Sequence, residues 1–68
     1  MELTATQAKV LKFVASYIKD NGYPPTRREV SDHFKWAYPS SAEDHLRAIE
    51  RKGYLTITPN ISRGIVIK

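Results

Sequence analysis

Tyr54-Leu55-Thr56-Ile57-Thr58-Pro59-Asn60-Ile61-Ser62-Arg63-Gly64-Ile65-Val66-Ile67 is where this chain changes its period. Tyr54 to Thr58 are strand formers, as are Ile65, Val66 and Ile67, because β-branched and aromatic side chains suit a pleated, half-buried surface. The six residues between them, Pro59 to Gly64, are rich in turn formers, so the segment predicts a β-hairpin. Everything upstream carries helical spacing instead.

Working back from the hairpin, Gly53 ends a third helix whose buried face is marked by Ala42, Leu46 and Ile49. Ser40 with Glu43 has the spacing of a capping box at its start, and Lys35-Trp36-Ala37-Tyr38-Pro39 reads as a turn. Thr26 with Glu29 is another capping box; with Val30 and Phe34 four apart, it opens a short helix over 27–34. Pro24-Pro25 keeps the preceding connection extended. Asn21-Gly22 stops a first helix, since glycine takes the left-handed conformation at little cost. That helix begins at a third box, Thr4 with Gln7, where Leu3 and Ala8 stand in position for a hydrophobic staple. Val10, Leu11, Val14, Tyr17 and Ile18 give it one apolar stripe. Three helices followed by a hairpin in so short a chain predict an α+β fold of the winged helix-turn-helix type, one domain over 1–68.

Composition narrows the function. At 68 residues, a chain buries only about 60% of the surface it exposes when unfolded, which allows one core but no deep catalytic cavity beside it. With no cysteine, neither disulfides nor thiolate metal sites contribute. No apolar run approaches the roughly 20 residues needed to span a bilayer, and Met1-Glu2-Leu3-Thr4 lacks the basic and apolar regions of a signal peptide. A cytoplasmic location without membrane association is the expectation.

The net charge is +4 and the pI about 9.6, which favours polyanionic partners through counterion release. The charge is unevenly spread. Lys9, Lys12 and Lys19 stand against Glu2 and Asp20 in the first 26 residues, and the acids and bases of 36–52 balance. The segment 53–68 holds Arg63 and Lys68 with no acid at all, so the hairpin is purely cationic.

Leu3-Thr4-Ala5, Gly22-Tyr23-Pro24-Pro25-Thr26-Arg27 with Glu29, Ala42-Glu43-Asp44-His45-Leu46, Arg51-Lys52-Gly53 and Ser62-Arg63-Gly64-Ile65 together resemble the N-terminal DNA-binding domain of LexA-type repressors, in that family's order and spacing. The resemblance implies a third helix in the major groove, with the preceding turn and the wing tip on the backbone or minor groove. Carried over by position, it implies that Tyr38, Ser40, Ser41, Glu43 and Asp44 face bases. Two departures stand out. Lys35 occupies a place where the family usually has glycine, and a left-handed backbone there would cost about 1 kcal/mol. Tyr38, Ser40 and Ser41 replace the family's common Ser, Asn and Ala at reading positions, so the usual operator is not carried over. The family's C-terminal domain, with its serine–lysine pair and Ala-Gly cleavage bond, has no counterpart in these 68 residues; neither self-cleavage nor dimerisation through it is carried over.

Each candidate has a functional and a plainer reading. A carboxylate from Glu43 or Asp44 can accept from the cytosine amino group, whereas acids in a first helical turn also suit the macrodipole. Ser40 is expected to cap and Ser41 to face DNA. Tyr38 is either a contact to a thymine methyl or phosphate, or an exposed turn tyrosine. Thr26, Arg27 and Arg28 open the second helix, where arginines sit at the wrong end of the dipole unless an anion faces them, so phosphate contact is the better reading. Arg47, Arg51, Lys52 and Arg63 complete the expected backbone set. Trp36 is expected to plug the gap between the second and third helices, and His45 to be packed. His33 and His45 are too far apart for a local metal pair, and no nucleophile elbow, phosphate loop or paired carboxylates appear.

The expectation is a sequence-specific binder of double-stranded DNA that regulates transcription, a repressor before an activator. It uses no metal, cofactor or small-molecule substrate, catalyses nothing, and pairs as a homodimer on palindromic sites. Two rivals remain open. One is a winged-helix module of the antirepressor kind that binds another regulator, kept alive by the acidic Glu43-Asp44; the other is that the chain is the DNA-binding part of a longer repressor.

Overall fold

Two of the three expected capping boxes form, and they set the first two helices. In the computed structural model, which describes residues 2–68, Thr4 Oγ1 accepts from the Gln7 N–H at 3.1 Å and Gln7 Oε1 accepts from the Thr4 N–H at 3.0 Å. Met1, read above with the N-terminal four, lies outside the described residues. Helix α1 runs Ala5–Asn21 and ends on Gly22 at φ 81°, whose N–H reaches the Ile18 carbonyl at 2.8 Å. A Cβ at Gly22 would meet nothing within 4 Å, so its backbone angle calls for glycine and crowding does not. The expected staple does not close: Ala8, a single methyl, is exposed, and Leu3 packs against the core itself.

Thr26 and Glu29 form the second box, at 3.1 and 2.8 Å, and open helix α2 over Arg27–His33. The chain then turns through Lys35 at φ 60°, the left-handed backbone expected there. Ser31 holds this turn: its buried hydroxyl donates to the Tyr38 carbonyl at 2.9 Å and its own carbonyl accepts from the Trp36 N–H at 2.9 Å. Trp36 stacks on Phe34 (4.9 Å) and on His45 (4.7 Å), filling the space between α2 and the third helix as expected.

The box expected at Ser40 and Glu43 does not form. Helix α3 spans Pro39–Arg51 with Tyr38 at its N-cap and no side-chain cap bond. Proline suits the first helical position because it has no N–H to satisfy and its φ is already helical. Starting at Pro39 moves the helix entry two residues upstream of a Ser40 cap, so Ser40 and Glu43 lie inside the helix and are released for other roles.

Strands β1 (Leu55–Ile57) and β2 (Ile65–Ile67) pair antiparallel, with Leu55 opposite Ile67 and Ile57 opposite Ile65. The turn is tight at Gly64, where a Cβ would lie 2.8 Å from the Thr58 carbonyl oxygen; only glycine fits without moving backbone. Val10 and Val14 of α1, Val30 of α2, Ala42, Leu46 and Ile49 of α3, and Leu55 and Ile65 of the hairpin are buried in one core. The result is the predicted α+β arrangement of three helices and a two-stranded wing.

Candidate nucleic-acid interface

Burying Ala42, Leu46 and Ile49 turns the opposite side of α3 outward. Ser40, Asp44, Arg47 and Arg51, spaced i, i+4, i+7 and i+11, are all exposed and form one ridge. Ser40, expected to cap, is in this ridge; Ser41, expected to face outward, is half-buried at its margin. Tyr38 projects just ahead of it, 69% exposed. The ridge flanks a groove of about 780 Å³ between α3 and the wing, lined by Thr26, Arg27 and Arg28 at the start of α2, by Glu43 and Arg47 of α3, and by wing residues 57–62.

The structure thus brings together the start of α2, the outer side of α3 and the wing. It also divides the seven expected backbone contacts into two groups. Arg28 and Arg51 are exposed and make no ion pair among the described residues, and Arg47 touches Glu50 only loosely, at 3.6 Å. Thr26 is committed to its cap. Arg27 donates to Glu43 at 2.6 Å. Lys52 turns inward, its ammonium donating to Gln7 Oε1 at 2.6 Å and to the Glu2 carbonyl at 3.0 Å, which ties the end of α3 to the beginning of the chain.

Arg63 is the most heavily engaged of the seven. Its guanidinium makes a two-pronged contact to Glu29, at 2.7 and 3.1 Å, and donates to the Pro24 carbonyl at 2.9 Å. It also lies 4.7 Å from the centre of the Tyr23 ring and 3.5 Å from the Tyr17 hydroxyl. The hydrogen bond from Arg63, followed by that from the Thr26 N–H, holds the Glu29 carboxyl down at about 2, well below the usual 4.5. Glu29 in turn pushes the Arg63 guanidinium above its ordinary range. The wing is therefore fastened to α2 and to the linker before it. A second fastening comes from α3, where Glu50 Oε2 accepts from the Ile57 N–H at 2.8 Å.

Glu29 and Glu50 as wing anchors, and Ser31 as the turn's tie, were not legible in the sequence. Glu29 was already accounted for by its capping box, and one carboxylate here serves both the cap and Arg63. His33 stacks on Phe13 at 4.0 Å and His45 on Trp36, so both histidines are packing residues. Among the described residues no group of three or more His, Cys, Asp or Glu is placed to hold a metal, and no helix is long and apolar enough to cross a membrane.

Comparison with known proteins agrees with this fold. The family model of the LexA DNA binding domain matches residues 1–64. The chain is 46% identical over 67 residues to the LexA repressor of Pseudomonas chlororaphis, covering 98% of this chain and 33% of that protein. It is 45% identical over 67 residues to LexA repressor 1 of Pseudomonas putida, with the same coverage of 98% and 33%. With the LexA repressor of Pseudomonas aeruginosa it shares 44% over 66 residues, covering 97% of this chain and 32% of that one. The chain spans about a third of the length of these relatives.

Proposed function

The chain belongs to the LexA DNA binding domain family, and from that membership we propose that it is a sequence-specific double-stranded DNA binder that represses transcription. In this reading α3 lies in the major groove and the wing rests on the backbone or in the minor groove. The observation that carries it is the exposed Ser40–Asp44–Arg47–Arg51 ridge beside a groove bordered by arginines of α2. Ser40 and Asp44 are centred for base contact, with Tyr38, Ser41 and Glu43 at the edges; a carboxylate there accepts from cytosine N4. Arg28, Arg47 and Arg51, with Arg27, supply phosphate contacts, which fix register without reading sequence. Lys52 and Arg63, whose charges are spent inside the chain, position the N-terminal segment and the wing.

The acidity that favoured a protein-binding module is half cancelled, because Glu43 is paired with Arg27. Nothing in the groove suits catalysis, and the role needs no cofactor. One module of this size buries about 600–1,000 Å² on DNA and binds weakly alone. Two copies on a palindrome, one helical turn or a multiple apart, would raise affinity.

Titrating the chain with mixed-sequence duplex at low and high salt tests the reading. Binding that weakens steeply with salt is the expected outcome, and selection from a random duplex pool should then return a defined half-site. Absence of binding at low salt would remove the proposal.

A further inference from the structure

Arg27 and Glu43 stand at the mouth of the groove, one at the first position of α2 and the other in the second turn of α3. They share a single hydrogen bond of 2.6 Å, with side chains 57% and 40% exposed. Among the described residues nothing else holds either of them: the second oxygen of Glu43 accepts no bond, and the guanidinium of Arg27 has no other partner. An exposed pair of this kind is held weakly and exchanges readily. Yet both partners carry charges that matter to DNA. A free guanidinium here would attract any duplex whatever its sequence, and a free carboxylate would be repelled by the phosphates.

We propose that Arg27 and Glu43 act as an exchangeable ion pair that withholds Arg27 from DNA phosphates until Glu43 meets a base amino group, and so suppresses binding to non-cognate sequence. The inference rests on the DNA-binding reading above. On a site that places a cytosine amino group at the base edge Glu43 reaches, the carboxylate gains a donor and Arg27 is released to a phosphate. On any other sequence, releasing Arg27 would leave a carboxylate facing DNA without a donor, a penalised state, so the pair stays closed. Glu43 thereby contributes twice to specificity: through the base it accepts from and through the phosphate contact it controls.

Two measurements test this by fluorescence anisotropy with labelled duplexes across a salt series. The first needs no variant. The unaltered chain should show a salt slope about 0.9 steeper on duplex selected from a random pool than on mixed-sequence duplex, because one more phosphate is neutralised. The second uses Glu43→Gln, which should bind mixed-sequence duplex about three- to tenfold tighter, with a slope about 0.9 steeper than the unaltered chain. The double variant R27Q/E43Q should fall back to the unaltered chain's non-cognate affinity.

Equal slopes on the two duplexes overturn the proposal. So does a double variant as tight as E43Q, since the gain would then come from removing repulsion and not from freeing Arg27. A chain that binds no duplex at low salt loses the DNA reading and this inference with it; a chain that binds with equal slopes loses this inference alone.

Discussion

Two arginine–glutamate pairs tie α2 to its neighbours, and they are nearly the same length: 2.7 Å for Arg63–Glu29 at the wing and 2.6 Å for Arg27–Glu43 at α3. They differ in everything else. Arg63 is held by both oxygens of Glu29, by the Pro24 carbonyl and by two tyrosines, and Glu29 also accepts from the Thr26 N–H. Arg27 and Glu43 have one bond and exposed side chains. A short contact does not measure what a pair contributes. Bidentate geometry and convergence of several partners do, because they fix both side chains before the pair forms and strengthen each bond. One pair belongs to the fold and the other is available to a ligand.

The largest effect should come from breaking the first pair. Arg63→Ala strands Glu29 and frees the wing from α2, and is expected to lower Tm by about 5–10 °C, read by circular dichroism. It should weaken binding to selected and mixed duplex alike by about tenfold, the size of one or two lost phosphate-side positions, while leaving the preferred sequence unchanged. A Tm within 1 °C of the unaltered chain would mean that the convergence around Arg63 stabilises nothing.

Acid sharpens the same contrast. The folded chain holds Glu29 at about 2 against an ordinary 4.5, so its contribution is complete above pH 4.5 and disappears as the pH falls toward 2, where the folded state must also take up the proton. Melting the unaltered chain and Glu29→Gln from pH 7 to 2 should give a Tm difference that is constant down to about 4.5 and closes near 2. A difference independent of pH over that window would show that the glutamate's charge has no part in holding the wing.

How much of this was legible in the sequence follows from the range of each signal. Capping boxes are local, and those at Thr4 and Thr26 read correctly. The one at Ser40 failed because Pro39, one residue earlier, is a stronger start signal than a serine cap. The cap lies only two residues upstream of the expected one, but that shift put Ser40 on the outer ridge and left Ser41 half-buried at its margin. The cationic hairpin was visible, and Arg63 looked free because its partner, Glu29, lies 34 positions away. No local pattern reports that separation. Lys35 is the opposite case: its left-handed φ of 60° was expected from position alone. Lys35→Gly should therefore stabilise the chain by up to about 1 kcal/mol, seen as a higher Tm, and a loss of stability would mean that the side chain contributes more than its backbone costs.

The smallest effect expected is the most discriminating. Arg27→Gln removes the more exposed pair, and a single bond between half-hydrated side chains is worth about 0–1 kcal/mol, less as salt screens it. Its Tm at 0.5 M salt should match that of the unaltered chain within about 2 °C, although the bond it deletes is slightly shorter than the one whose loss loosens the wing. If Arg27→Gln instead melted several degrees lower, the pair would be part of the fold. Glu43 would then be committed to α2 in every state, and the outer side of α3 would have to read bases without it.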